Sequence, residues 1–353
     1  MNRRISFLCS RLEQRGLDGL LLVSSANISY ITGFPSRDAY LLISSGGKGV
    51  YFTDSRYSEE AQESLKNPIG LRECNGTVFS GIGTSLREMG IARLGFEERH
   101  LSFAEFSRLK ELSGKAVELI PVHGMVEASR EVKDKDEVEK IKKAVKVTGL
   151  AYRHIKKLVV PGATEMEITG EFEHFVRLQG CNGPAFDTIV ASGPNSSRPH
   201  HLSGQRKLRR GEGVLMDLGV DYLGYKSDLT RVVFLGKINP LVREIYDIVR
   251  KAHDLAIERI HPGAEMSEID RVAREYIASK GYASCFTHNL GHGVGLEIHE
   301  EPHFSRNEAS AVKPGMVFTV EPGIYLPGKF GVRIEDLILV TRKGCEVLSG
   351  AIN

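Results

Sequence analysis

VLMDLGVDYLGYKSDLTRVVFL, residues 214–235, places two carboxylates, Asp217 and Asp228, in apolar surroundings with Gly219 and Gly224 between them. The pattern reads as a strand, a tight connection and a return strand, which brings two acids from neighbouring strands together. Three more polar residues sit in comparable settings: His292 in LGHGVGL, Glu321 in VFTVEPGIY and Glu335 in VRIEDLILV. A buried carboxylate without a partner is costly. One such acid is answered by an arginine; four acids and a histidine point to a shared cation. One imidazole with many carboxylate oxygens suits a divalent metal of intermediate hardness. Four negative ligands over-neutralise a single divalent ion, so charge balance points to two.

The same half of the chain carries a faint repeat. PGATEMEI begins at Pro161 and PGAEMSEI at Pro262, and each leads into an amphipathic helix that ends near a glycine, Gly180 or Gly281. Thr164 and Glu167 have capping-box spacing. RRGEGVLMDLG ends at Gly219 and VKPGMVFTVEPG at Gly323, which sets Asp217 opposite Glu321; the next strand of each half carries Asp228 or Glu335. Two halves that each supply two acids can close around a metal pair on a pseudo-twofold axis.

With 353 residues the chain is long enough for two domains. Residues 17–23, 40–44, 50–53, 93–97 and 117–122 read as strands, and 56–65 and 102–112 as helices, which is a small α/β domain. A charged stretch over 130–143 follows, its first part a linker and its second a long helix that stops before Pro161. The expected division is an α/β domain over residues 1–125, a linker over 126–136 and an α+β domain over 137–353. In the latter, a curved antiparallel sheet is backed by helices near 137–160, 164–179, 241–260 and 267–280. A formal net charge of +2 favours neither nucleic acid nor an anionic membrane. Arg206, Lys207, Arg209 and Arg210 read as a solvated turn. Five dispersed cysteines form no CxxC pair, which argues against a disulfide framework and fits a reducing compartment. No signal peptide is read in MNRRISFLCSRLEQRG, and no window reaches the roughly 18 apolar residues of a membrane span; a cytoplasmic location is expected.

His288, His292 and His299 lie in THNLGHGVGLEIHEEPH. The His288–His292 spacing is that of an HExxH helix, but Asn289 occupies the glutamate position and Gly291, Gly293 and Gly295 weaken a helix. The glycines are expected to let the backbone approach a ligand. Six of the 12 histidines fall in this segment and around His200 and His201, which marks both segments as functional. Arg333, two residues before Glu335, either orients that glutamate, binds a substrate carboxylate or forms a structural ion pair. No GxSxG elbow is present.

Together PHH at 199–201, MDLGVDYLGYKSDLTR from Met216, NLGHGVGLEIHE from Asn289, TVEPGIY from Thr319 and VRIED from Val332 resemble the pita-bread metallopeptidases, in the branch of Xaa-Pro dipeptidase (prolidase) and aminopeptidase P. The likeness covers nearly the whole chain; LDGLLLVSSANISYITGF resembles the creatinase-type N-terminal domain. The resemblance implies a pita-bread (creatinase/aminopeptidase-like) catalytic domain with an internal pseudo-twofold repeat. It implies a dinuclear centre on Asp217, Asp228, His292, Glu321 and Glu335, with Asp228 and Glu335 bridging. It places His200, His288 and His299 at the substrate, with Arg333 nearby, and has a metal-bridging water or hydroxide attack the amide carbonyl. His200, His299, Glu321 and Arg333 are the expected catalytic groups, Glu321 carrying a proton to the leaving nitrogen; Tyr325, Val294 and Leu296 are expected as pocket walls. The expected cofactors are two divalent ions among Mn, Co, Zn and Fe, with Mn favoured. The expected partners are a peptide with proline second and a second copy of the chain in a homodimer. Alternatives are a methionine-aminopeptidase-like enzyme, which the extra N-terminal domain opposes, and a non-catalytic peptide-binding module, which the intact ligand set opposes.

Overall fold

The computed structural model describes residues 3–306 and 308–352. The chain divides into two units between Arg130 and Glu131. The first runs α1 (Arg3–Gln14), β1 (Gly19–Leu22), α2 (Ser25–Thr32), β2 (Tyr40–Ser44), β3 (Gly49–Thr53), α3 (Ser58–Ser64), β4 (Ile69–Glu73), α4 (Val78–Glu88), β5 (Arg93–Glu97), α5 (Phe103–Ser113), β6 (Glu118–Val122) and α6 (Glu127–Arg130). Its strands form one sheet in the order β4-β3-β2-β1-β5-β6. Only β2 runs against its neighbours. Leu21, Leu42, Phe52, Ile82, Leu94 and Leu109 fill the core under the sheet. Four helices and a strand, α1, α2, α4, α6 and β4, go beyond those expected. α2 and α6 are only eight and four residues long, α2 being held by the Ser24 cap and by Gly33 in the left-handed region, and α4 carries Gly81 and Gly83 in its interior.

The second unit runs α7 (Lys135–Lys156), α8 (Glu165–Leu178), β7 (Gly183–Pro184), β8 (Ile189–Ser192), β9 (Gly213–Asp217), β10 (Val220–Tyr222), β11 (Tyr225–Lys226), β12 (Thr230–Phe234), α9 (Pro240–Ile257), α10 (Met266–Ser279), β13 (Gly291–Gly293), β14 (Glu300–Phe304), β15 (Val317–Val320), β16 (Gly323–Leu326), β17 (Phe330–Arg333), β18 (Asp336–Val340) and β19 (Cys345–Val347). Asp134 and Glu137 close a capping box on α7, and Thr164 and Glu167 close the expected one on α8. All strand pairs here are antiparallel, chiefly in ladders ordered β12-β9-β8 and β14-β13-β15-β18-β19.

The repeat is a structural one. Ile141, Phe172 and Val176 of α7 and α8 share a core with Val214 and Met216 of β9. Ile245, Val249 and Ala273 of α9 and α10 share the other with Phe318 and Val320 of β15. Ahead of α8, Thr164 bridges to Lys207; ahead of α10, Glu265 bridges to Ala311. In register, Asp217 pairs with Thr230 on one ladder and Val320 with Asp336 on the other. Each half therefore delivers one acid at a strand's end (Asp217, Glu321) and one just ahead of the partner strand (Asp228, Glu335). The link between Asp217 and Asp228 is longer than a simple tight connection: it contains the β10–β11 hairpin, turned by Leu223 at φ 52° and Gly224 at φ 87°. Arg206 departs from the expected solvated turn. It is partly buried, paired to Glu212 Oε1 at 2.6 Å.

Candidate active site

One cavity of about 540 Å³ in the second unit is lined by Asp217, Asp228, His292, Glu321 and Glu335 together with His200, His288, His299 and Arg333. These residues come from three strands and six loops spread over more than 130 positions, and the meeting of the two half-repeats gathers them. Asp228, His292 and Glu335 each offer a ligand atom within 4.8 Å of the others. His292 Nε2 stands 3.3 Å from Glu321 Oε1 and 3.6 Å from Asp228 Oδ2.

The residues present fit a cation on three counts. His292 Nδ1 is 3.2 Å from the Gly293 carbonyl, a contact that places the proton on Nδ1 and turns the Nε2 lone pair toward the carboxylates. Burial, with the charge of His299, pushes the His292 imidazole down to about 3, so it is neutral and its lone pair is free for a metal. Asp217 Oδ1 and Asp228 Oδ1 are buried with no hydrogen-bond partner, which native proteins rarely tolerate. Burial and the neighbouring acids raise the Asp228 and Glu335 carboxyls well above the ordinary carboxylate range, and Glu321 rises chiefly by burial. Such a site resists holding all its charges until a positive partner arrives.

The positive group already present is Arg333, buried at 4 % exposure. Its Nη2 donates to Asp217 Oδ2 at 2.5 Å, its Nη1 to Tyr325 Oη at 2.9 Å and its Nε to Thr230 Oγ1 at 3.0 Å. Thr230 Oγ1 donates in turn to Glu335 Oε2 at 2.6 Å. Arg333 therefore orients Glu335 through Thr230 and pairs directly with Asp217. Tyr325 does not line the cavity; it stands behind it, with Oη 2.9 Å from His288 Nε2. His288 Nδ1 is 2.8 Å from the Asn289 carbonyl, so both of its nitrogens are occupied. The rings of His200 and His299 make no hydrogen bond among the described residues and face the cavity.

Three expectations need correction. Val294 is fully buried in the core and Leu296 packs against that core, so neither is a wall residue. The glycines do permit close approach, but to the protein's own backbone: a Cβ at Gly291 would lie 1.9 Å from the Thr319 carbonyl oxygen, and one at Gly293 2.3 Å from that of Glu301. The apolar lining comes instead from Phe186, Ile189, Leu202 and Ile298. Sequence reasoning also passed over Thr230 and a fully buried ion pair, Lys133 Nζ to Glu300 at 2.9 Å, which anchors the backbone next to His299. The pair has no local signal: Lys133 lies in the charged stretch REVKDKDE and Glu300 in EIHEEPH.

Four largely buried carboxylates and one imidazole, gathered where two antiparallel half-repeats meet in a chain that also carries a separate α/β unit, define a metallopeptidase of the pita-bread type. The chain belongs to metallopeptidase family M24: the model of that family matches residues 139–342, and that of the creatinase/prolidase N-terminal domain matches residues 4–132. Among relatives, the Xaa-Pro dipeptidase of Pyrococcus horikoshii is 34% identical over 99% of this chain and 97% of its own length. Among solved structures, the Xaa-Pro dipeptidase from Bacillus anthracis superposes with a TM-score of 0.94 at 37% identity, covering 99% of this chain and 97% of that one. The X-Pro aminopeptidase from Thermotoga maritima gives 0.88 at 36% identity, covering 96% and 97%. No helix among the described residues is long and apolar enough to cross a membrane.

Proposed function

We propose that this chain is an exopeptidase that hydrolyses the bond between an N-terminal residue and proline, with two divalent ions held by Asp217, Asp228, His292, Glu321 and Glu335. The observation that carries the reading is the pair of orphaned oxygens on Asp217 and Asp228 beside the bare Nε2 of His292. When bound, such ions lower the pKa of water toward neutrality and polarise a carbonyl. The oxygen-rich set with one imidazole suits manganese among the candidates. A homodimer and a cytoplasmic setting complete the reading, the latter in keeping with five free thiols.

The chain's own groups then divide the work. Glu321, with Oε1 held by Thr319 Oγ1 at 3.2 Å, carries the proton to the leaving nitrogen. His200 and His299, their rings uncommitted, donate hydrogen bonds to the carbonyl oxygen and the substrate terminus. His288 and Arg333, tied through Tyr325, hold the wall between them. A prolyl amide lacks N–H, so no acceptor is required at that nitrogen, and Phe186, Ile189, Leu202 and Ile298 supply apolar surface for the ring.

The test compares Ala-Pro, Ala-Pro-Ala, Ala-Ala and N-acetyl-Ala-Pro on metal-loaded protein. Ala-Pro or Ala-Pro-Ala is cleaved, and the better of the two decides between dipeptidase and aminopeptidase P. Equal or faster cleavage of Ala-Ala, or ready cleavage of the acetylated peptide, removes the specificity and leaves the metallopeptidase standing.

His200→Ala and His299→Ala are expected to lower turnover by about 10²- to 10⁴-fold, the scale of a lost proton donor, while bound metal stays near two ions per chain. Loss of metal from His299→Ala would reassign that residue to the metal.

A further inference from the structure

The second histidine of the PHH segment has no part in the chemistry above, yet it makes one of the most committed contacts in the catalytic unit. His201 Nε2 donates to Glu165 Oε2 at 2.9 Å. Glu165 is fully buried at the first position of α8. Its Oε2 also accepts from Gly204 N at 3.3 Å and from Asn195 Nδ2 at 3.1 Å. Its Oε1 accepts from Ser192 N at 2.8 Å, Ser192 Oγ at 2.7 Å and Asn195 Nδ2 at 3.0 Å. One carboxylate therefore ties the start of the segment 192–204 to its end. His200 lies within that segment, exposed, with no hydrogen bond of its own among the described residues. Where its ring sits is decided by the backbone that carries it.

The internal repeat shows that the fold does not require a carboxylate here. The PGA segments place Glu165 opposite Met266, and the hydrogen-bonding confirms the correspondence: Glu165 N donates to Arg206 O, and Met266 N to Ser310 O. Met266 is also fully buried. The second half fills the position with an apolar side chain, and the first half fills it with an acid that gathers five donor groups. Burial alone works against the Glu165 charge, but the hydrogen bonds from Ser192, His201 and Asn195 outweigh it and hold the carboxyl below its ordinary value. Arg206 extends the clamp, donating to Ser192 Oγ at 2.5 Å.

We infer that Glu165 and His201 form a positioning pair that fixes the 192–204 segment and so aims His200 into the cavity. The inference rests on the reading of His200 as a group that acts on substrate. His201 also borders the cavity, but its Nε2 is committed to Glu165. A catalytic group displaced by about 1 Å can lose on the order of 10²-fold in rate, so a modest slackening of this segment has a kinetic consequence without touching the metal ligands.

The experiment uses full-length, metal-loaded protein with Ala-Pro as substrate. His201→Ala is expected to lower kcat by about 10- to 100-fold, the scale for outer support of a site residue, with KM and bound metal near those of the parent. His201→Gln, which returns an N–H close to the Nε2 position, recovers most of that loss. In a His200→Ala background, His201→Ala adds no further fall, because a residue acting through His200 has nothing left to aim. With diamagnetic Zn in place of Mn, the His200 ring signal in NMR is expected to be single and sharp in the parent and to broaden or split in His201→Ala, a readout that needs no turnover. Parent-like kcat with a parent-like ring signal in His201→Ala overturns the inference, and so does an undiminished fall in the His200→Ala background. Unchanged turnover in His200→Ala alone sinks the underlying reading of His200 instead. Glu165→Met, which copies the repeat counterpart, checks the other partner: it is expected to fold, as Met266 does in its half, and to reproduce the His201→Ala ring signal. A parent-like signal there removes Glu165 from the pair.

Discussion

Asp228→Ala and Glu335→Ala are each expected to abolish turnover of Ala-Pro and to release at least one metal ion per chain. Losing the ion that polarises the carbonyl and activates water forfeits several kcal/mol of transition-state stabilisation, a fall of about 10³-fold or more. Full activity of either variant after chelation would sink the two-metal reading. The same site sets a pH dependence whose sign follows from the raised carboxyls of Asp228 and Glu335. A folded-state pKa above the unfolded value means that the metal-free native state holds protons the unfolded chain releases. The stability this contributes is present below the ordinary values of 3.8 and 4.5 and is lost as pH rises through the raised ones. Metal replaces those protons and must compete with them in acid. The rise in melting temperature on adding Mn is therefore expected to grow with pH toward neutrality and to vanish in acid, and activity with it. A metal-induced shift that is flat across that range contradicts the assignment of these acids as ligands.

Arg333→Met has the second largest expected effect, and on stability as well as rate. The guanidinium is, among the described residues, the cation buried among Asp217, Glu321 and Glu335, and it also holds Tyr325 and Thr230. Removing one partner of a buried ion pair leaves the other charge uncompensated and typically costs about 3–5 kcal/mol. The metal-free variant should lose that much in urea unfolding, and loading with metal should restore part of it, because the ions supply the missing positive charge. A loss under about 1 kcal/mol in the metal-free state, below the usual range for a broken buried pair, would show that Asp217 is satisfied without Arg333.

The residues most legible in the sequence are those whose burial contradicts their polarity. Asp217, Asp228, Glu321 and Glu335 each lie within or beside an apolar run, and His292 sits among glycines that no helix or phosphate loop explains. The repeat was legible for a related reason: PGA followed by an amphipathic helix is a local pattern, and α8 and α10 fall where it puts them. The short α2 carries little periodicity, and the interior glycines of α4 lower its helix propensity, so tertiary packing decides them. Tyr325, Val294 and Leu296 show the limit on the site side. All three flank ligands in the sequence, yet one stands behind the cavity and two belong to the core.

By itself the sequence determined which acids would be buried together and in want of a positive partner, because an acid set in or beside an apolar strand is visible in the composition of that strand. It also determined the two-half design and the antiparallel pairing that follows from it. The partners were decided by tertiary structure alone: Arg333 with Asp217, Lys133 with Glu300, and Glu165 with His201. Each pair joins residues far apart in the chain, and a hydrogen bond depends on a few tenths of an ångström that no local pattern encodes. The same holds for the glycines of the His292 segment: the sequence shows that a side chain is unwelcome there, and only the packed strands reveal that what comes close is the carbonyl oxygen of Thr319.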